Sequence, residues 1–199
     1  VDAGVGKVID GQQEHNKKLD DLTQEVARLR EGLVRTDYMD GIITRPWELH
    51  PSGNHLLGVP HEDKPFFDAV GKRLNEAAIH LESESGTPQS IENQLAALES
   101  EIKSKHVEWL KDPHRARKSE RSASACLAFI YLQLGTIKFQ SKDYPAAVSL
   151  YGQAYDYSTA ACDAELVARS LYQKGVSLGR ARKHREAEQA FRESLGLND

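Results

Sequence analysis

The sequence predicts an all-α protein, and three observations carry this prediction. Apolar residues recur at steps of three and four through much of the chain, which is the spacing of one face of a helix. Residues that end or begin helices, such as Gly86 and Pro113, separate these stretches. A pattern in the last part of the chain also occurs twice. We therefore expect separate helical elements in the order heptad helix, irregular linker, helical hairpin and repeated helix pairs.

Composition excludes several classes of protein. The 199 residues carry 26 Lys and Arg against 30 Asp and Glu, a formal net charge of -4, so there is no general attraction to nucleic acid or anionic lipid. No run approaches the roughly 18 apolar residues that a membrane-spanning helix needs. Two cysteines, Cys126 and Cys162, are too few for a disulfide framework and lack metal-ligand spacing. We expect a cytoplasmic protein with no nucleic acid, membrane or cofactor among its partners.

Residues 1–37 predict a heptad helix. Five apolar residues alternate between two core positions of a heptad, and they are Leu19, Leu22, Val26, Leu29 and Leu33. This spacing predicts that residues 14–33 mediate self-association, so that the protein forms a homo-oligomer. The alternative is an amphipathic helix that packs on its own domain.

Residues 38–64 predict an irregular linker because turn dipeptides recur there. They are Asp40-Gly41, Arg45-Pro46, His50-Pro51, Ser52-Gly53 and Val59-Pro60. The same segment holds a cluster of potential metal ligands, namely His50, His55, His61, Glu62 and Asp63. Neither helical nor hairpin spacing preorganises them, so we interpret them as solvent-exposed side chains and predict no metal site.

Residues 65–112 predict a helical hairpin. The first apolar stripe contains Phe67, Val70, Leu74, Ala77, Ala78 and Leu81, and the second contains Ile91, Leu95, Leu98, Ile102 and Trp109. Between them, Thr87 is a suitable N-cap and Pro88 suits the first helical position. The short connection implies that the two helices are antiparallel.

Residues 119–199 contain a repeated pattern of small and aromatic residues. Gly135 is followed after twelve residues by an alanine and four residues later by Tyr151, and Gly175 is followed in the same way by Phe191. Glycine inside a helix is otherwise unfavourable, so its recurrence predicts close approach of two antiparallel helices beside an aromatic ring.

This segment resembles the tetratricopeptide repeat family. The matching positions are Tyr131, Leu134, Gly135, Tyr144, Ala147, Tyr151 and Ala154 in the first copy, and Leu171, Gly175, Leu178, Ala187 and Phe191 in the second. Lys138 and Lys174 depart from the family's usual apolar residues. The copies are 40 residues apart instead of the usual 34, which predicts a longer second helix or a longer loop after it. The resemblance implies two helix pairs forming a short right-handed solenoid.

The resemblance also implies a peptide-binding groove along the first helix of each pair. The positions that would face it are Phe129, Leu132, Thr136, Phe139, Gln140, Arg169, Tyr172, Val176 and Arg180. The alternative is that Phe129, Leu132 and Phe139 pack against the upstream hairpin. Family members that clamp a carboxylate need Lys and Asn at positions that are Leu132, Thr136 and Gln173 here, so we do not expect a co-chaperone function.

Two basic runs flank helices in this region. They are Lys111, Arg115, Arg117, Lys118 and Arg121, and Arg180, Arg182, Lys183 and Arg185. Acidic residues interrupt both runs and no aromatic residues interleave them. We interpret them as solvated helix ends, because cations are favourable at helix C-termini, and not as a nucleic acid site.

The sequence thus predicts a non-enzymatic protein-protein interaction module or scaffold that binds a peptide or protein, with no catalytic residues. An alternative is a regulatory or sensor segment of a larger signalling ATPase or other enzyme. Two observations favour this alternative: the sequence starts at Val1 and not at Met, and no cap helix is predicted after the second repeat.

Overall fold

The computed structural model describes residues 59–83 and 86–196, and these residues form six α-helices and no strand. The helices are α1 (Lys64–Glu82), α2 (Pro88–Trp109), α3 (Pro113–Gln140), α4 (Tyr144–Ala160), α5 (Ala164–Arg180) and α6 (His184–Ser194). Consecutive helices pack on one another, and α1 also contacts α3. The all-α prediction is confirmed, and this packing of consecutive helices is consistent with a helical solenoid. The predicted heptad helix and the predicted linker up to residue 58 lie outside the described residues.

The hairpin formed by α1 and α2 follows the apolar stripes in the sequence. Phe67, Val70 and Leu74 of α1 are fully buried, and every member of the predicted α2 stripe is at most 2% exposed. Thr87 has extended backbone angles and its side chain accepts a hydrogen bond from the Ser90 amide, as an N-cap does. The predicted start of the second helix is therefore confirmed.

Helix α3 begins earlier than the repeat pattern indicated. Asp112 caps it by accepting hydrogen bonds from the amides of His114 and Arg115, and Pro113 occupies the first helical position. The resulting helix has 28 residues. Its first half extends beyond the repeat, so one continuous helix connects the hairpin with the repeated region.

Part of α3 also corrects the statement that no run is apolar enough to span a membrane. By length and composition alone, Pro113–Gln140 passes that test, with a mean hydropathy of 1.2 over an 18-residue window. In the fold, 78% of that window is buried among other helices. Buried residues such as Leu127, Ile130 and Ile137 contribute much of this hydropathy, because they belong to the core of the fold.

Three turns of the same conformation join the last four helices. Lys142, Cys162 and Arg182 stand twenty residues apart, each with a positive φ, at 64°, 54° and 61°. In each turn the next residue's amide bonds back to a carbonyl five residues earlier, as in a Schellman motif. A residue other than Gly in this left-handed region costs roughly 1–2 kcal/mol. The chain therefore accepts some strain at all three turns.

The residue after each strained position is the N-cap of the next helix, and the three turns differ at this N-cap position. The side chain of Asp143 accepts a hydrogen bond from the Ala146 amide, and that of Asp163 accepts from the amides of Glu165 and Leu166. Lys183 stands at the equivalent place before α6 and forms no side-chain cap. Replacing a good N-cap typically costs about 1 kcal/mol, so α6 begins less favourably than α4 and α5.

The 40-residue spacing of the repeats is explained by helix length. Helices α4 and α5 each have 17 residues, and only residues 161–163 separate them. The extra residues are therefore in helices and not in a longer loop.

Candidate partner-binding groove

Two glycines permit the close approach of paired helices that the sequence predicted. A Cβ atom at Gly135 of α3 would lie 2.6 Å from Tyr151 Cε1 of α4. At Gly175 of α5 it would lie 2.7 Å from Phe191 Cε1 of α6. Both distances are too short for carbon atoms in contact. The pairs α3–α4 and α5–α6 thus share one internal packing, and α3 and α5 are the equivalent first helices.

Three of the nine predicted groove residues lie in the interior of the fold. Phe129 and Leu132 of α3 are 2% and 8% exposed and belong to the same hydrophobic core as the buried residues of α1 and α2. Arg169 of α5 is also buried. The structure therefore corrects the prediction of Phe129, Leu132 and Arg169 as open groove residues. Phe129 and Leu132 are buried because the hairpin and the first repeat share one core.

The other six predicted residues keep accessible surface. Thr136, Phe139, Tyr172 and Val176 are half-buried, and Gln140 and Arg180 are exposed. The accessible part of the predicted groove thus lies toward the C-terminal ends of α3 and α5.

Each half-buried aromatic residue of this group is held by a second ring. The Phe139 ring lies 5.5 Å from that of Tyr144 in an edge arrangement, and the Tyr172 ring lies 5.7 Å from that of Phe191. Such contacts restrict the rotamers of both side chains. A partner would therefore meet aromatic side chains that are already ordered, which lowers the entropic cost of binding.

Thr136 is tied to the helix pair at the same level. Its hydroxyl donates to the Leu132 carbonyl at 3.0 Å, and its oxygen lies 3.3 Å from the Tyr151 hydroxyl. Burial raises the pKa of Tyr151 to about 12, so its hydroxyl stays protonated at neutral pH. Thr136 thus offers a partner a small surface with little hydrogen-bonding capacity left.

Helix α2 packs against α3, and two polar side chains of α3 bind carboxylates of α2. The Lys138 ammonium donates to Glu92 Oε1 at 2.7 Å, and the Tyr131 hydroxyl donates to Glu99 Oε1 at 2.5 Å. Tyr131 also stacks on Tyr157 of α4, with ring centroids 5.4 Å apart. Lys138 departs from the repeat pattern because it has a carboxylate partner on α2 instead of an apolar neighbour.

The hydrogen bond between Tyr131 and Glu99 does not change with pH in the neutral range. Burial and the hydrogen bond to the Glu99 carboxylate raise the pKa of Tyr131 to about 12. Burial opposes ionisation of Glu99, but hydrogen bonds from Lys103 and Tyr131 outweigh it and lower the pKa of Glu99. The tyrosine therefore stays a donor and the glutamate an acceptor through the neutral pH range.

Asp63 has a role that the sequence did not reveal. Its carboxylate is fully buried and accepts hydrogen bonds from Trp109 Nε1 at 3.0 Å, Ser119 Oγ at 3.0 Å and Arg115 Nε at 2.8 Å, with a second bond from Arg115 Nη2. The arginine donors lower the pKa of Asp63 most strongly. These partners lie 46 to 56 residues away, so no local spacing signals them.

This network bears on the metal cluster considered in the sequence. Asp63 is saturated by donors, while His61 and Glu62 are exposed. Within residues 59–83 and 86–196, no group of three or more potential metal ligands comes together. His50 and His55 lie outside the described residues.

Two members of the first basic run have structural partners. Arg115 binds Asp63, and Arg121 Nε donates to the Ala161 carbonyl at 2.7 Å, at the end of α4. The interpretation of this run as helix-end charge fits Arg121, which satisfies a carbonyl at a helix C-terminus.

The two thiols occupy different environments. Cys126 is fully buried in α3, and this burial raises its pKa, so the thiol stays neutral and unreactive. Cys162 is exposed at its strained turn. Both are free thiols, and the cytoplasmic location expected from the cysteine content stays a prediction.

The residues predicted for self-association lie outside the described part of the chain. Leu19, Leu22, Val26, Leu29 and Leu33 all precede residue 59. Their role stays a prediction from the heptad spacing.

Comparison with known proteins identifies the repeated region. The family model described as tetratricopeptide repeat matches residues 126–198. No curated protein and no solved structure matches the chain. The match starts inside α3 and covers α4, α5 and α6, which are the helices with the repeated glycine-aromatic packing. Repeats of this family generally mediate protein-protein interaction and are typically not catalytic. Residues 126–198 of this chain belong to the tetratricopeptide repeat family.

Proposed function

We propose that this protein is a non-enzymatic interaction module that holds a peptide of a partner protein in the groove along α3 and α5. The observation that supports this proposal is the row of ordered but accessible side chains on the first helix of each pair. Tyr172 and Val176 are half-buried, and Arg180 follows them on the same face, exposed. Aromatic and arginine side chains contribute much of the binding energy in many protein interfaces.

A capture experiment tests the groove. Immobilised wild-type protein is compared with a Tyr172→Ala, Val176→Asp variant, and bound proteins are quantified by mass spectrometry. Because both residues are only half-buried, we expect the variant to keep its circular dichroism spectrum and to lose most of the wild-type partners.

The matched control for this experiment is Val107→Asp. Val107 is 62% exposed on α2, so the substitution also places a carboxylate on an apolar surface position, but outside the groove. Partners should be retained by this control. Equal recovery by all three proteins would refute the groove proposal.

We also propose that residues 14–33 mediate self-association. The support is the heptad spacing alone. Analytical ultracentrifugation of the full chain should show a mass above that of one chain, and a Leu22→Glu, Leu29→Glu variant should sediment as a monomer. A monomeric wild type would favour the alternative of a helix packed on its own domain.

A further inference from the structure

We propose that the partner peptide carries an acidic stretch that docks on the turn between α5 and α6. We call this turn the basic turn, and its cations are Arg180, Arg182, Lys183 and Arg185. The inference rests on the proposed function, since it concerns the end of the same groove. It specifies the chemistry of the peptide segment that follows the apolar contacts, and the place where that segment binds.

The first argument compares the three turns that join the last four helices. Two of them place an aspartate before the next helix, and both Asp143 and Asp163 cap that helix with their side chains. The basic turn has Lys183 at this place, and Lys183 forms no cap. The fold therefore does not require a lysine here, and helix stability favours a different residue.

The second argument concerns the helix dipole. Arg180 lies in the last turn of α5, where a cation is favourable. His184 and Arg185, however, open α6, where the partial positive charge of the helix N-terminus opposes a cation. The explanation of solvated helix ends thus accounts for Arg180 but not for Arg185, which lies in the first turn of α6.

The backbone at Arg182 shows which residues the basic turn would accept without strain. Its φ of 61° lies in the left-handed region that favours glycine. A glycine at 182 and an aspartate at 183 would both suit this turn better. Lys142 and Cys162 have the same conformation at the other two turns, so the strain is common to all three, and Lys183 in place of a capping aspartate is what distinguishes the basic turn.

The charges of the basic turn are available to a ligand. Arg182 and Arg185 are exposed, as is Arg180, and within the part of the chain that the structure describes these three form no ion pair. Lys183 pairs with Glu186 at 3.2 Å, but both side chains are more than half exposed. Such surface pairs contribute little energy and exchange readily for another carboxylate.

The basic turn continues the groove. Val176 and Arg180 are four residues apart on α5 and share one face, with Tyr172 one turn further back. The turn between α3 and α4 lies at the same edge, because consecutive helices alternate in direction, and it presents exposed Lys142. A peptide whose apolar side chains rest on Tyr172 and Val176 therefore meets cations where it leaves the groove.

This continuity favours a peptide over nucleic acid. Nucleic acid binding by a basic patch is usually supported by stacking aromatics or an excess of positive charge. The aromatic residues of α5 and α6 are Tyr172 and Phe191, which pack on each other, and the chain has a net charge of -4. An acidic peptide with apolar residues matches both parts of the surface.

The test uses a variant that removes the charge without weakening the fold. Arg182→Gly with Lys183→Asp gives the basic turn the residues that the backbone and the cap favour, so its melting temperature should equal or exceed that of wild type. The control is Lys111→Asp with Arg117→Ala. Both of these cations are exposed at the opposite edge, and the change in charge is the same.

Peptide ligands are selected from a phage library of random dodecapeptides on the immobilised full chain. Selected peptides are then synthesised with a fluorescent label, together with versions in which Gln and Asn replace Glu and Asp. Binding is measured by anisotropy. We expect an acidic stretch beside apolar residues, and about tenfold weaker binding to the basic-turn variant, with no loss for the control.

The outcomes separate this inference from the proposed function. Selected peptides that lose binding to the Tyr172→Ala, Val176→Asp variant but carry no acidic stretch, or bind the basic-turn variant as well as wild type, would overturn the inference alone. No selected peptide, or peptides indifferent to the groove variant, would overturn both. A single-stranded oligonucleotide that binds more tightly than any peptide, with loss in the basic-turn variant, would assign the turn to nucleic acid instead.

Discussion

Replacing Gly135 with alanine tests the packing that defines the first helix pair. The added Cβ would lie 2.6, 2.8 and 2.9 Å from three carbon atoms of the Tyr151 ring, whereas carbon atoms in favourable contact are roughly 3.5–4.0 Å apart. Tyr151 is only 1% exposed, so its ring has little space to retreat. The substitution therefore forces the ring or the α4 backbone to move by several tenths of an ångström.

The magnitude follows from two opposing terms. Overpacking of a closely packed core typically costs 1–3 kcal/mol, while alanine gains up to about 1 kcal/mol over glycine inside a helix. We expect a net loss of about 1–2 kcal/mol. The matched control is Gly152→Ala on α4, where a Cβ would meet nothing within 4 Å, so alanine should stabilise by about 0.5–1 kcal/mol.

Urea unfolding followed by circular dichroism measures both variants. We expect the two substitutions to differ by about 1.5–3 kcal/mol, with opposite signs relative to wild type. In a Tyr151→Leu background, the cost of Gly135→Ala should fall, because the smaller side chain leaves room for the Cβ. Equal stability of the two alanine variants, or an unchanged cost in the Tyr151→Leu background, would refute the packing argument.

Three further predictions concern the ion-pair network, a turn and the thiols. The pKa of Asp63 is lowered from its ordinary value of 3.8, so the stability that Asp63 contributes is present above that pH and is lost as the pH falls below it. Asp63→Asn should destabilise the protein by about 2–3 kcal/mol at pH 7 and should reduce this acid-dependent loss in urea titrations. A loss of the same size in the variant would contradict this role. Cys162→Gly should stabilise by about 1 kcal/mol in the same assay, since glycine tolerates its positive φ, whereas a loss would show that the turn is not strained. A thiol reagent should modify Cys162 in the native protein and Cys126 only after denaturation, and rapid native modification of both would mean that α3 opens readily.

The helices and their local contacts were predictable from the sequence. The stripe from Ile91 to Trp109 and the cap at Thr87 depend on residues three or four apart, so periodicity reveals them. The glycine-aromatic pairing was predictable for a related reason: it occurs twice at equal spacing, and a mid-helix glycine needs a packing explanation. Each of these features depends on residues within one short segment of the sequence.

The contacts between distant segments were not predictable. Asp63 reaches Trp109 and Ser119 across 46 and 56 residues, and an isolated aspartate before a helix looks like an ordinary cap. For the same reason, the sequence placed Phe129 and Leu132 in the groove, although both lie in the core. Position in a repeat shows which way Phe129 points, but not that the interior of an upstream hairpin is continuous with that face.

The length of α3 has a consequence for how the molecule unfolds. Its first half is fixed to the hairpin through Arg115 and Ser119, and its second half forms the first repeat through Gly135 and Tyr151. An array of repeats can lose its end units one at a time, because each contacts only its neighbours. Here the single helix α3 belongs to both the hairpin and the first repeat, so unfolding of the hairpin exposes the core of that repeat. The smallest fragment that folds by itself should therefore begin before Asp63, although the repeat pattern starts far downstream.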